Sequence, residues 1–221
     1  MVRHFALALL AVLLWAQPAA ATEAEVKACF EGPARTAADK GAGKDEFSRS
    51  IIEMGAGKLC EPVAKTTILA CLDALDADTA GAKDQYRCIG TVANTCTAST
   101  FASSEFRKVV CIGAEEAIWL GELERLTASL RQNLKDAADR DRLDAMTRDF
   151  FAYRDRKCGL TRTVFEGAEP DAAYSACVTE TAARHVLDLR EMNARFDDED
   201  DEDDEDDEDG KDAGTLAPAP K

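Results

Sequence analysis

The chain has 221 residues, which is enough for one domain or for one domain with an appendage. Its formal net charge is −16, and thirteen consecutive Asp and Glu residues at 197–209 account for most of it. Without that run, the 43 acidic residues fall to 30, against 27 basic ones. We therefore expect a near-neutral domain with an acidic tail and no nucleic-acid partner, since phosphates repel such a tail.

The first 21 residues have the pattern of a secretory signal. Arg3 gives a positive start, an apolar run extends from Phe5 to Trp15, and small residues follow at 19–21. This order predicts cleavage after Ala21 and a periplasmic or secreted protein. The apolar run is shorter than the roughly 20 residues of a membrane span, and we expect no span elsewhere.

Residues 22–84 form a cysteine-containing helical section. Helices are expected in three places: 23–30, 45–54 and from Pro62 onward. Gly/Ala stretches at 41–43 and 55–57 interrupt the helical pattern, so we interpret them as loops.

Residues 85–192 show the most regular pattern. Apolar residues recur at helical gaps over 109–134, 143–153 and 173–189, and strand-like alternation is almost absent. The predicted fold class is all-α: a small, disulfide-stapled domain of antiparallel helices. The acidic tail at 193–221 is expected to be disordered, because like charges repel and little apolar surface is left to bury.

Eight cysteines follow the predicted cleavage site: Cys29, Cys60, Cys71, Cys88, Cys96, Cys111, Cys158 and Cys177. An even number in an exported chain predicts disulfides. We expect Cys158–Cys177 and Cys96–Cys111, and pairing among the other four, preferably Cys29–Cys60 and Cys71–Cys88. A zinc site is the alternative, but the sequence has no C-x-x-C pair and keeps one histidine after cleavage.

Little in the sequence supports catalysis. His185, the one histidine after the predicted cut, lies beside an apolar helix face, and we interpret it as a boundary residue. The acid pair Glu115–Glu116 is typical of a solvated helix face. No nucleophile, base and orienting group occur together, so we expect no enzyme, no cofactor and no metal site.

A series of short motifs carries a family resemblance. They are Cys88-Ile89-Gly90 with Cys96, then Cys111 with Glu115 and Trp119, then Tyr153-Arg154-Asp155 before Cys158, and finally Cys177 with Glu180-Thr181 and Arg184. Over roughly residues 85–192 the chain thereby resembles the LprI-like family, named after a mycobacterial lysozyme inhibitor. The resemblance implies an exported helical module with internal disulfides and, for the named member, inhibition of lysozyme.

The motif residues also have structural interpretations. Trp119 lies on the apolar stripe of its helix, so we expect it in the core. Arg154 and Asp155 are expected to pair with Arg184 and Glu180 across the helices that the disulfide joins.

Two functional hypotheses follow. The first is an exported cell-envelope binding module that blocks a protein partner sterically and electrostatically, the partner being lysozyme or another basic envelope protein. The alternative is a structural or cation-buffering envelope protein that uses its acidic tail.

Overall fold

The computed structural model describes residues 21–39, 46–76, 82–164 and 169–202. Within these ranges the chain forms helices and no strand, which confirms the all-α fold class. The α-helices are α1 (Glu23–Asp39), α2 (Glu46–Asp76), α3 (Thr91–Thr97), α4 (Glu105–Asn133), α5 (Ala137–Val164) and α6 (Pro170–Glu202). Two short 3₁₀ helices, Ala82–Cys88 and Thr100–Ala102, flank α3. Residues 1–20 of the predicted signal lie outside the described ranges.

Helix α2 is one continuous helix where the sequence predicted two helices and a loop. The stretch 55–57 is helical, and Pro62 lies inside the helix rather than at its start. Gly57 faces α4, and a Cβ atom there would lie 3.2 Å from Cγ1 of Val110. The glycine therefore permits a close approach of two helices. In the sequence alone, such a glycine is easily taken for part of a loop. The other predicted loop, 41–43, lies outside the described residues.

Helices α4, α5 and α6 run up, down and up. The carboxyl group of Glu105 accepts a hydrogen bond from the N–H of Asp171, so α4 and α6 begin side by side. At the other end Leu130 and Phe196 line the same groove, so these two helices are parallel. Helix α5 is antiparallel to both, and its Phe150 packs against His185 of α6.

Helices α5 and α6 are longer than predicted. Helix α5 passes through Gly159 and ends at Val164. Helix α6 ends at Glu202, so residues 193–202 of the predicted disordered tail have a helical backbone. Once the packed part of a helix is formed, each added residue gains a hydrogen bond without a new nucleus, which favours such an extension. Residues 203–221 lie outside the described ranges.

All eight cysteines are bonded in the predicted pairs: Cys29–Cys60, Cys71–Cys88, Cys96–Cys111 and Cys158–Cys177. In the chain-entropy description, a disulfide that closes a loop of this size stabilises the fold by about 3 kcal/mol. Buried side chains from α1, α2, α4 and α6 belong to one hydrophobic core, in which Trp119 and Phe30 are the largest fully buried residues. The section 22–84 therefore shares its core with the helices that follow it.

Candidate binding surface around Arg184

Glu115 is completely buried and organises the polar centre of the molecule. Its two carboxyl oxygens accept hydrogen bonds from the backbone N–H groups of Gly90 (2.6 Å), Val92 (3.0 Å) and Ala93 (2.8 Å). The indole Nε1 of Trp119 donates a fourth bond of 3.0 Å. The expectation of a solvated helix face is therefore wrong for Glu115. Its carboxyl group supplies the acceptors that the first N–H groups of α3 lack within their own helix.

Gly90 is required by this arrangement. It precedes α3 with a φ of +85°, a conformation that favours glycine. A Cβ atom at this position would also lie 2.6 Å from Nδ2 of Asn94. The short helix α3 is thus positioned by a left-handed glycine at its start and by a buried carboxyl group from α4.

The charged motif residues do not pair as predicted. Arg154 bonds its own neighbour Asp155 at 2.8 Å, and Arg184 bonds Glu180, one turn earlier on α6, at 2.7 Å. The expected pairing across the two helices is wrong, because each cation reaches an acid on its own helix. Polar contacts between α5 and α6 are instead made by Lys157, whose Nζ donates to Oγ1 of Thr181 at 3.1 Å, and by Arg162, which pairs with Asp171 at 3.1 Å.

Glu116, the neighbour of the buried acid, lies near Arg154. Burial raises the pKa of the Glu116 carboxyl group above its ordinary value, and Arg154 opposes that rise. This half-buried residue also differs from the solvated helix face that the sequence suggested.

Two cation–tyrosine pairs lie on the outside of this framework. The guanidinium carbon of Arg184 lies 4.9 Å from the ring centroid of Tyr86, and Nζ of Lys157 lies 5.9 Å from that of Tyr153. Tyr86 is 38% exposed and Tyr153 is 53% exposed. We call these four residues, Tyr86, Tyr153, Lys157 and Arg184, the Arg184 surface.

Arg184 joins two neighbouring cavities. The first, about 380 Å³, lies between α3 and α6 and includes Tyr86 and Glu180 in its lining. The second, about 710 Å³, lies between α5 and α6 and includes Tyr153 and Lys157. The four residues therefore form one continuous exposed face, which rests on the framework that Glu115 anchors.

His185 borders the second cavity. Its ring stacks on Phe150 with centroids 4.0 Å apart, and its Nε2 is buried with no hydrogen-bond partner among the described residues. Burial lowers the pKa of this imidazole, and Asp188 opposes that shift. The boundary position predicted from the sequence agrees with this half-buried location.

Sequence reasoning identified Arg184 but did not identify the role of its neighbours. The i, i+4 spacing of Tyr153 and Lys157 places them on one side of α5, and this signal was available. Tyr86 reaches Arg184 only through the fold, because the disulfide Cys71–Cys88 fixes the 3₁₀ helix that carries it.

The described ranges hold no group of three or more His, Cys, Asp or Glu residues placed to bind a metal ion. In the same ranges, no helix has the length and apolar character that crossing a membrane requires.

These features define a class: a disulfide-stapled helical module whose motif residues divide between a buried framework and an exposed face. Residues 96–189 match the family model described as lysozyme inhibitor LprI, which confirms the predicted resemblance to this family over that segment. No curated protein and no solved structure matches the chain.

Proposed function

We propose that the protein is an exported binding module that inhibits a lysozyme-type enzyme by covering its active-site cleft with the Arg184 surface. The observation that carries this proposal is the family match over residues 96–189, which includes Tyr153, Lys157 and Arg184 but not Tyr86. Four disulfides fit an oxidising compartment outside the cytoplasm, where a signal cut after Ala21 would deliver the chain.

The chemistry of the Arg184 surface supports this role. Tyr and Arg are the residue types that most often dominate protein–protein binding energies. Glycosidases of the lysozyme type carry two carboxyl groups beside the scissile bond, and the exposed ammonium group of Lys157, which donates to a threonine, complements such a cleft. Lys157 and Arg184 are held by Thr181 and Glu180, so less side-chain entropy is lost when a partner binds.

The acidic run at 197–209 has a different part in this proposal. It attracts a basic enzyme over about 8 Å at physiological salt and so speeds encounter. It does not block the cleft, because a run of acidic side chains has no apolar or aromatic residue to anchor a stable contact.

The experiment compares lysozyme inhibition by the mature chain from Thr22, by a chain ending at Phe196, and by the double variant Lys157→Glu with Arg184→Glu. Each is measured at low and at physiological salt. The truncated chain should still inhibit at physiological salt, whereas the double variant should raise the inhibition constant at least about tenfold. Arg35→Glu is the matched control, since Arg35 is an exposed arginine that also pairs with a glutamate one turn earlier.

Three results would count against parts of the proposal. Inhibition that the double variant leaves unchanged would overturn the Arg184 surface as the contact. Inhibition that disappears on truncation, or that occurs only at low salt, would indicate charge sequestration by the tail. If none of the chains inhibits at any salt, lysozyme inhibition is wrong, and a structural or cation-buffering role of the tail becomes the better hypothesis.

A further inference from the structure

The far end of the three-helix unit carries an apolar groove that the proposed inhibitor face does not use. The groove has a volume of about 520 Å³, within the range of ordinary ligand sites. Six of the residues that line it are apolar: Leu130, Leu134, Leu143, Met146, Met192 and Phe196. Arg142 and Arg195 complete the lining. We call this site the C-terminal groove.

The apolar residues of the C-terminal groove continue helical stripes on all three helices. Leu130 lies in the last turn of α4 and Leu134 directly follows that helix, and Met192 and Phe196 are one turn apart on α6. Three helices with an open apolar seam have the geometry of a four-helix bundle that lacks one member. A helix laid into the seam would bury this surface by the helix-in-groove mode of recognition.

Two methionines contribute to the groove. Met192, the more exposed of the groove methionines, has 39% of its surface accessible to solvent. Methionine side chains are flexible and adapt to different apolar partners, which suits a site that accepts side chains from another helix.

The charge near the groove indicates which charge a bound molecule should carry. Arg142 pairs with Asp139 and Arg195 pairs with Glu191, each at 2.6 Å on its own helix, so both cations at the rim are neutralised locally. The residue after Phe196 is the first of the thirteen consecutive acids. The helix that lines the groove thus leads directly into a charge of −13, which attracts cations and repels anionic amphiphiles.

We propose that the C-terminal groove binds the apolar face of a cationic amphipathic helix, whose positive charge is attracted by the thirteen acids that follow Phe196 in the sequence. A second copy of the chain is disfavoured as the occupant, because it would bring a second acidic run to the same place. The groove contains none of the four residues of the Arg184 surface, although it shares Arg142 and Met146 with the neighbouring 710 Å³ cavity. Peptide binding to the groove can therefore be tested without reference to lysozyme inhibition.

The test uses the mature protein and a synthetic peptide of Leu and Lys in which the helical repeat places Leu on one face and Lys on the other. Binding is measured by calorimetry at physiological and at high salt. Two control peptides are used: the same residues in scrambled order, and a version with Glu in place of Lys. The amphipathic Leu/Lys peptide should bind at least about tenfold more tightly than either control, because only it combines both features.

Two variants and a truncated chain distinguish peptide binding in the groove from attraction by the acidic tail. Met192→Asp should weaken binding about tenfold or more at both salt concentrations, since it places a charge in the apolar seam. Met54→Asp is the matched control, because Met54 is an exposed methionine of α2, 55% accessible, and should leave binding unchanged. A chain ending at Phe196 should bind more weakly and with a smaller dependence on salt.

The proposal is overturned if the scrambled peptide binds as tightly as the amphipathic one, or if Met192→Asp has no more effect than Met54→Asp. It is also overturned if the Glu peptide binds equally well, if no peptide binds, or if sedimentation shows that the free protein closes the groove by dimerising and Met192→Asp makes it monomeric.

Discussion

The two ends of helix α4 are held in different ways. At the first end, the bond Cys96–Cys111 and the carboxyl group of Glu115 fix the neighbouring α3 by covalent and polar contacts. At the second end, after Leu126, Arg131 pairs with Asp144 of α5, and the apolar residues that follow on the three helices leave the C-terminal groove open. The difference fits the two proposals, because the disulfide-bonded end would give the Arg184 surface a fixed shape and the open end would leave room for a bound helix.

The largest expected effect is a loss of stability when Glu115, at the first end of α4, is replaced. Glu115→Ala should lower the free energy of unfolding by roughly 3–5 kcal/mol, because it leaves three backbone N–H groups and one indole N–H buried without an acceptor. Glu115→Gln should cost less, since the amide keeps one acceptor oxygen but turns a donor toward the others. Chemical denaturation followed by circular dichroism measures both.

The control for these variants is Glu124→Ala, which removes an exposed glutamate from the same helix. Its effect should stay within about 0.5 kcal/mol, as expected for an exposed surface position. Equal losses for Glu115→Ala and Glu124→Ala would contradict the framework role of Glu115.

A smaller effect compares the packing inside α4 with the packing at its C-terminal end. Leu123→Ala, at a residue that is buried in the core, should cost about 3 kcal/mol. Leu134→Ala, at the partly exposed rim of the C-terminal groove, should cost less than about 1.5 kcal/mol, because less apolar surface leaves contact. Thermal unfolding of both variants checks the comparison, and the opposite order would show that the second end is the better packed one.

The smallest expected effect is the contribution of His185 to the pH dependence of folding stability. Because burial lowers the pKa of this imidazole below 6.5, the unfolded chain takes up a proton more readily than the folded one. Stability from this source is complete above pH 6.5 and decreases as the pH falls toward the folded pKa. The charged groups that border the same cavity are Arg142, Asp149 and Lys157 from α5, and Arg184 and Asp188 from α6.

His185→Phe isolates this contribution, because it keeps an aromatic ring against Phe150 and cannot titrate. Melting temperatures of both proteins at pH of about 7.5 and about 5.5 measure the effect. The wild-type protein should lose more stability than the variant over this interval. An identical loss in both proteins would assign the pH dependence to other groups.

Much of the fold was predictable because it depends on local patterns. Apolar spacing identified α4, α5 and α6, and the even number of cysteines in a chain with a signal pattern indicated disulfides. The prediction was wrong at α2 because Gly57 and Pro62 are turn signals in a sequence, whereas here Gly57 makes room for Val110. Whether a glycine makes a turn or a helix contact depends on which element packs against it, and that information is not local.

The candidate site was harder to predict for a related reason. A glutamate such as Glu115 is almost always exposed, so composition gives no sign that four donors surround it. One local signal was present, since Trp119 follows at i+4 and places an indole N–H one turn from the carboxyl group. The cross-helix pairing of Arg154 with Glu180 failed because each charged residue had an acceptable partner on its own helix, and sequence alone does not rank the two.

The disulfide map has a consequence for how the chain reaches its native state. Each bond joins a cysteine to the next one along the chain, so no two of the closed loops overlap. In a polypeptide that emerges N-terminus first into an oxidising compartment, every cysteine therefore meets its correct partner before any later one arrives. Oxidation in order of emergence selects one of the 105 pairings that eight cysteines allow, without a step that breaks and reshuffles wrong bonds.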